Sequence, residues 1–209
     1  IFFDLPFLTT VPVTDAPSDP PTAAAARAAL PGRAAAARRR APVERWEPAY
    51  CADLDLRIAA DGTWYHDGSP IRREPLVRLF ASVLRCEPDG RHVLVTPAEK
   101  VGIVVEDAPF LAVEMHAAAA GAERVLTFRT NVGDRVAAGP EHPLRFAVDA
   151  DTGGLKPYIL VRGRLEARAT RAVAQELAAL ADVAPGDGGA WYGVWSGGAF
   201  FPIARTEEG

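Results

Sequence analysis

Cysteine is scarce in this chain. Cys51 and Cys86 stand far apart without companions at metal-ligand spacing, so neither a disulfide scaffold nor a zinc ribbon is encoded, and the pair reads as reduced thiols of a cytoplasmic protein. Histidine occurs four times, as His66, His92, His116 and His142, with no two placed one helical turn apart as a metal-binding face requires. No apolar run approaches the ~20 residues that span a bilayer. Basic residues are outnumbered, 23 Lys and Arg against 27 Asp and Glu, and a net charge of −4 argues against nucleic acid as the main partner. What remains is a chain 49% hydrophobic over 209 residues, enough for one large core or two small ones.

The densest structural instruction lies between Asp53 and Phe80. Leu54, Leu56 and Ile58 alternate with Asp53, Asp55 and Arg57, the period of a half-buried strand. Asp61-Gly62 marks a hairpin turn, Trp64 and Tyr65 resume the strand, and Asp67-Gly68 turns it again. Pro75 suits a first helical turn, and Leu76, Val77, Leu79, Phe80, Val83 and Leu84 follow at helical spacing.

Residues 1–41, rich in alanine, proline and arginine, read as a disordered or loosely ordered arm rather than a signal peptide. Within it Ala23 to Ala29 could form a short helix, and Arg38 to Arg40 read as a solvated tether. Beyond Glu87-Pro88-Asp89-Gly90, strands are expected at 92–95, 101–106 and 110–115. The alanine run 117–120 is the expected domain boundary, giving an N-terminal domain over 42–117 and a C-terminal domain over 118–209. The second half repeats the pattern: strands at 125–129, 144–148, 158–161 and 165–167, a helix from Thr170 to Leu180, and a last strand-like stretch, 191–203. The expected class is α+β, two small β-rich domains of strands plus one helix each, related by structural duplication.

Catalytic motifs fail one by one. Asp149, Asp151 and Gly153-Gly154 lack the closing glutamate of a calcium loop and read as a turn. Ser69, Ser82 and Ser196 are the available serine nucleophiles beyond the arm, and Ser196 lacks the upstream glycine and the strand–turn–helix of a hydrolase elbow. Gly193, Gly197 and Gly198 do not form a dinucleotide fingerprint and read as bends near Trp195. Polarity inside turn-bounded apolar segments is more informative. Lys100, Arg129, Arg145 and Lys156 are expected to converge on an anion at the domain junction, with Asn131 and an aromatic, Trp195, fixing its orientation, Glu99 balancing the cations and His142 beside them.

These segments carry a resemblance. From about residue 42 to 203 the chain resembles a proteobacterial family called domain of unknown function 1285, through RIAADGTWYHDGSPIRREPLVRLFASVLR, TPAEKVGIVVEDAPF, FRTNVGD, EHPLRF, LKPYILVR and GVWSGGAFF. The resemblance implies two domains with internal duplication, the C-terminal one similar to pleckstrin-homology (PH-like) folds. It also implies a ligand site between them for a nucleotide-like molecule in signalling. It carries over no catalytic residue and names no cofactor. The reading is therefore a non-enzymatic module for a small anionic ligand. One alternative is an enzyme in the same cleft, with Glu99 or His142 as acid or base. The other is a scaffold whose tail, Trp191, Trp195 and Phe200, meets a protein partner.

The composition of the arm cannot offset the entropy of ordering it. Deleting residues 1–40 is expected to leave the melting temperature within about 3 °C of the full-length value in a thermal melt. Loss of cooperative unfolding would place the arm in the core.

Overall fold

The structure is a computed structural model that describes residues 41–186 and 189–206. The expectations for the arm, its short helix and its arginine cluster fall on residues 1–40, outside the described residues.

Alternation becomes pairing where the sequence carries it. β1 (Tyr50–Ile58) reaches the Asp61-Gly62 turn, where Gly62 takes φ +81°, and β2 (Trp64–His66) returns with Trp64 opposite Ile58. Asp67 and Gly68 both take positive φ, and β3 (Ser69–Pro70) closes the meander. α1 (Glu74–Ser82) follows with Pro75 in its first turn, then β4 (Leu84–Cys86), β5 (His92–Val95) and β6 (Lys100–Val105). The sheet order is β3-β2-β1-β6-β5-β4, with β1 and β6 parallel and every other pair antiparallel.

The next six strands repeat this plan. They are β7 (Phe110–Ala118), β8 (Val125–Thr130), β9 (Arg135–Ala137), β10 (Leu144–Val148), β11 (Leu155–Arg162) and β12 (Leu165–Ala169). Their order is β9-β8-β7-β12-β11-β10, again with the first and sixth strands parallel in the middle. The sheet is thus duplicated strand for strand, but the helix is not. α1 joins the third strand to the fourth, whereas α2 (Arg171–Ala178) follows the sixth. A three-stranded meander ends the fold: β13 (Asp182–Gly186), β14 (Gly189–Ser196) and β15 (Ala199–Arg205). The result is two β-rich domains, each with one helix.

Four local expectations need correction. Val83 and Leu84 lie beyond α1, because Leu84 pairs with Leu94 and ladder bonds override helical spacing. The alanine run is not the boundary between sheets. Ala117 and Ala118 pair with Leu126 and Val125 at the end of a hairpin, and the chain changes sheet at residues 106–109. Alanine has no side chain to oppose backbone pairing, so neighbouring strands decide its conformation. The stretch 191–203 is two strands, folded back where Gly197 and Gly198 take positive φ. β13 was not expected, since Pro185 and Gly186 make it unlike a strand in composition.

One apolar core runs through both domains, joining Leu56, Ile58, Trp64 and Phe80 to Phe110, Phe128, Ile159 and Leu177. Arg85, 5% exposed, anchors the start of the described chain. Its guanidinium donates to the carbonyls of Val43 at 2.8 Å and Trp46 at 2.7 Å, and its Nε donates to Glu87 at 2.7 Å. These bonds satisfy a charge that would otherwise be costly to bury.

Trp64 is 1% exposed and stacks on Phe80 with ring centroids 6.1 Å apart. Trp64→Ala is expected to lose about 3–5 kcal/mol in urea unfolding. The indole Nε1 has no partner among the described residues, so Trp64→Phe gives up no hydrogen bond and should lose less.

Candidate functional site

The end of β12 leads straight into α2, and this junction opens a cleft. Thr170 takes an extended conformation as N-cap, but its hydroxyl makes no capping bond, and its backbone N–H donates to the Ala112 carbonyl. Val173 and Leu177 face the core. Arg171, Ala174, Gln175 and Ala178, spaced by three and four, line the cleft. The two alanines on that flank reach no further than Cβ, which leaves room beside the helix.

The opposite wall is the loop between β10 and β11, and Asp149 shapes it. Its Oδ1 accepts from the N–H groups of Asp151 and Thr152 and from the Thr152 hydroxyl, at 2.8–3.1 Å. Its Oδ2 pairs with Lys156 Nζ at 2.5 Å. The Lys156 bond and then the Thr152 bonds hold the Asp149 carboxyl well below the usual carboxylate range. Leu111, Leu155 and Ala169 add apolar surface, and Asp61 reaches the rim from the first domain's hairpin. The cleft encloses about 800 Å³, within the usual range for small-molecule sites.

Arg168, from β12, also lines the cleft and holds the two domains together. One guanidinium nitrogen donates to Asp107 Oδ2 at 2.9 Å, and the other donates to the Ala60 carbonyl at 2.7 Å. Asp107 also accepts from the Tyr158 hydroxyl at 2.8 Å. Burial, then this hydrogen bond, pushes the Tyr158 hydroxyl above its ordinary range. Nearby, a Cβ on Gly62 would stand 2.9 Å from Leu111 Cδ1 and 3.1 Å from Asn131 Nδ2, so only glycine lets the hairpin approach so closely. Arg162 adds a second tie, donating to the Ala81 carbonyl in the last turn of α1 at 2.6 Å.

The four cations read from the sequence do not form one cluster. Lys100 sits in the first sheet, 3.5 Å from Glu87, beside the Arg85 anchor. Arg129 forms a two-point pair with Glu114 across β7 and β8. Arg145 pairs with Glu166 at 2.6 Å and lies over the Tyr158 ring. Of the four, only Lys156 lines the cleft, although Arg145 and Lys156 both feel the Asp107 charge. Asn131 fixes the start of β7, its Oδ1 accepting from the Leu111 N–H. His142 has Nδ1 3.0 Å from the Leu160 carbonyl, and Glu99 closes a turn on Thr96 through its own carbonyl. Trp195 packs against Phe200, with centroids 5.1 Å apart. Ser196, weighed above as a nucleophile, is fully buried, donating to the Ala138 carbonyl and accepting from the Leu126 N–H.

Sequence reading missed Asp61, Asp107, Arg168 and Arg171. Arg171 carried a signal, since a cation in the first turn of a helix opposes its dipole and breaks a local rule. Arg168 carried none, because a strand arginine usually meets solvent.

Two family models match in succession, the N-terminal domain of DUF1285 over residues 41–108 and its C-terminal domain over 109–203; both are described as of unknown function. A crystal structure of a DUF1285 family protein from Silicibacter pomeroyi DSS-3 is 47% identical with a TM-score of 0.77, covering 82% of this chain and 91% of that one. The chain belongs to the DUF1285 family. A second DUF1285 structure, from Shewanella baltica OS155, is 29% identical over 57% of this chain and 86% of its own, with a TM-score of 0.44. No match is found among curated proteins. The two DUF1285 models meet at 108/109, where the chain passes between its sheets. No described helix is long and apolar enough to cross a membrane. Among the described residues, no group of three or more His, Cys, Asp or Glu is placed to hold a metal ion.

The contacts of Arg168 with Asp107 and Ala60 separate structural from surface charges. Arg168→Ala strands a mostly buried carboxylate and is expected to cost about 2 kcal/mol in urea unfolding. Arg145→Ala, which breaks a more exposed pair, should cost at most about 1 kcal/mol. Equal losses for the two variants would deny Arg168 its role between the domains.

Proposed function

We propose that this protein is a non-enzymatic module that binds a small anionic molecule in the cleft between the first domain's hairpin and α2, and that it acts as a sensor. The observation that carries this reading is Arg171. It lines the cleft at the positive end of α2 and has no hydrogen-bond or ion-pair partner among the described residues. Lys156 and Arg168 lie beside it, each already tied to a carboxylate. An anion would supply the negative charge that both Arg171 and the helix terminus lack.

Two further observations support the reading. Asp61 belongs to the first domain and most of the lining to the second, so a bound ligand would touch both and tighten their docking. Neither Glu99 nor His142, the acid or base of the enzyme reading, lines the cleft, and its two carboxylates, Asp61 and Asp149, are each held by hydrogen bonds from their own turn and kept ionised. That favours binding over acid–base catalysis.

A thermal-shift screen of nucleotides, inorganic phosphates and carboxylates tests the proposal. A ligand at about 100 times its Kd is expected to add about 2.7 kcal/mol of stability. Added salt should reduce the shift by screening. Arg171→Ala should reduce it too, without lowering the melting temperature of the free protein, since it removes a cation that opposes the α2 dipole. A shift unaffected by Arg171→Ala would place the site elsewhere, and the absence of any shift across the screen would overturn the proposal.

A further inference from the structure

The charges around the cleft form a pattern that narrows the ligand. Five ionised side chains line it: Asp61, Asp149, Lys156, Arg168 and Arg171. Lys156 is taken by Asp149, and Arg168 by Asp107, which lies just outside the lining. The remaining two, Asp61 and Arg171, have no ion-pair partner among the described residues, and they carry opposite signs. Asp61 spends Oδ1 on the Thr63 N–H at 2.9 Å, and this bond is the main reason its carboxyl stays below the ordinary range. The same cleft also carries apolar surface from Leu111, Leu155 and Ala174.

A polyphosphate fits this pattern poorly. It would bring several negative charges to a cleft that already holds two carboxylates and offers one uncommitted cation. A molecule with one carboxylate and one ammonium group matches Arg171 and the second oxygen of Asp61, whose first is held by Thr63 and whose charge Arg57 offsets from outside the cleft. An apolar body matches the apolar lining. A cleft of about 800 Å³ exceeds what a single amino acid would fill, and a dipeptide with two bulky side chains suits it better.

We infer that the cleft takes a small zwitterion of dipeptide size, its carboxylate on Arg171, its ammonium on Asp61 and its apolar body against Leu111, Leu155 and Ala174. The inference rests on the cleft being the binding site and on its anionic contact at Arg171, and replaces a purely anionic ligand by one that also carries an ammonium group.

The test uses leucyl-leucine, its N-acetyl form, its C-terminal amide and ATP as probes, read by calorimetry on the full chain. Removing either charge from the dipeptide is expected to weaken binding by at least about tenfold, the usual worth of a hydrogen bond to a charged group. Arg171→Gln should bind the free dipeptide no better than the amide. Asp61→Asn keeps an oxygen for the Thr63 N–H and should bind the dipeptide no better than its N-acetyl form. Ala174→Leu, which fills the cleft without altering charge, should weaken the dipeptide in the same assay. Equal affinity for dipeptide, acetylated form and amide would overturn the zwitterion reading. So would binding of ATP alone, provided Arg171→Gln abolishes it, and that result would leave the anion site standing. Binding of none of the four probes would overturn the zwitterion reading, and the anion site would then rest on the broader screen.

Discussion

Asp107 accepts from the Tyr158 hydroxyl and pairs with Arg168, and the other arm of Arg168 reaches the Ala60 carbonyl of the first domain. This short chain of bonds, with the Arg162 tie and the shared apolar core, holds the two sheets against each other. Asp107 sits where the chain leaves the first sheet, so the link between domains is also their clasp. Arg168 is suited to it because a planar guanidinium serves two acceptors in fixed directions, which a lysine ammonium would not. Without the clasp, the hairpin carrying Asp61 and Gly62 would lose its hold against Leu111, and the cleft would lose one rim.

The duplicated sheet explains where the cleft lies. Both sheets put their first and sixth strands side by side and parallel, so the sixth strand ends in the middle of the sheet rather than at its edge. In the first sheet the end of β6 hands over to the second domain. In the second, the end of β12 hands over to α2, whose start is delivered next to the clasp. The same plan therefore ends in a domain junction once and in a binding wall once. The helix breaks the symmetry, and the candidate site occurs where it does.

Much of the fold was legible because period-two alternation and turn chemistry are local. Leu56 and Ile58 against Asp55 and Arg57, with Gly62 and Gly68 at the turns, needed no partner to be read. The alanine run misled because alanine has no strong strand signal, and Leu126 and Val125 across the hairpin decided its conformation. Charges were read less well. Lys100, Arg129 and Arg145 stood out in sequence as cations beside apolar residues, yet each has a carboxylate on another strand or turn of its sheet. A carboxylate at the right place in space need not lie near in sequence, as Glu166 shows for Arg145.

By itself the sequence determined most of the strands and turns, the two helices, the family likeness and the absence of metal-ligand spacing. All of these depend on residues within about one turn or one hairpin of each other. Only the tertiary structure decided which cations are neutralised and which is left free. Pairing between charges falls off over a few ångströms, and those distances are set by strand order and domain docking. Sequence reading placed Lys156 in an anion site and passed over Arg171. The Asp149 loop takes one of them, and nothing described takes the other.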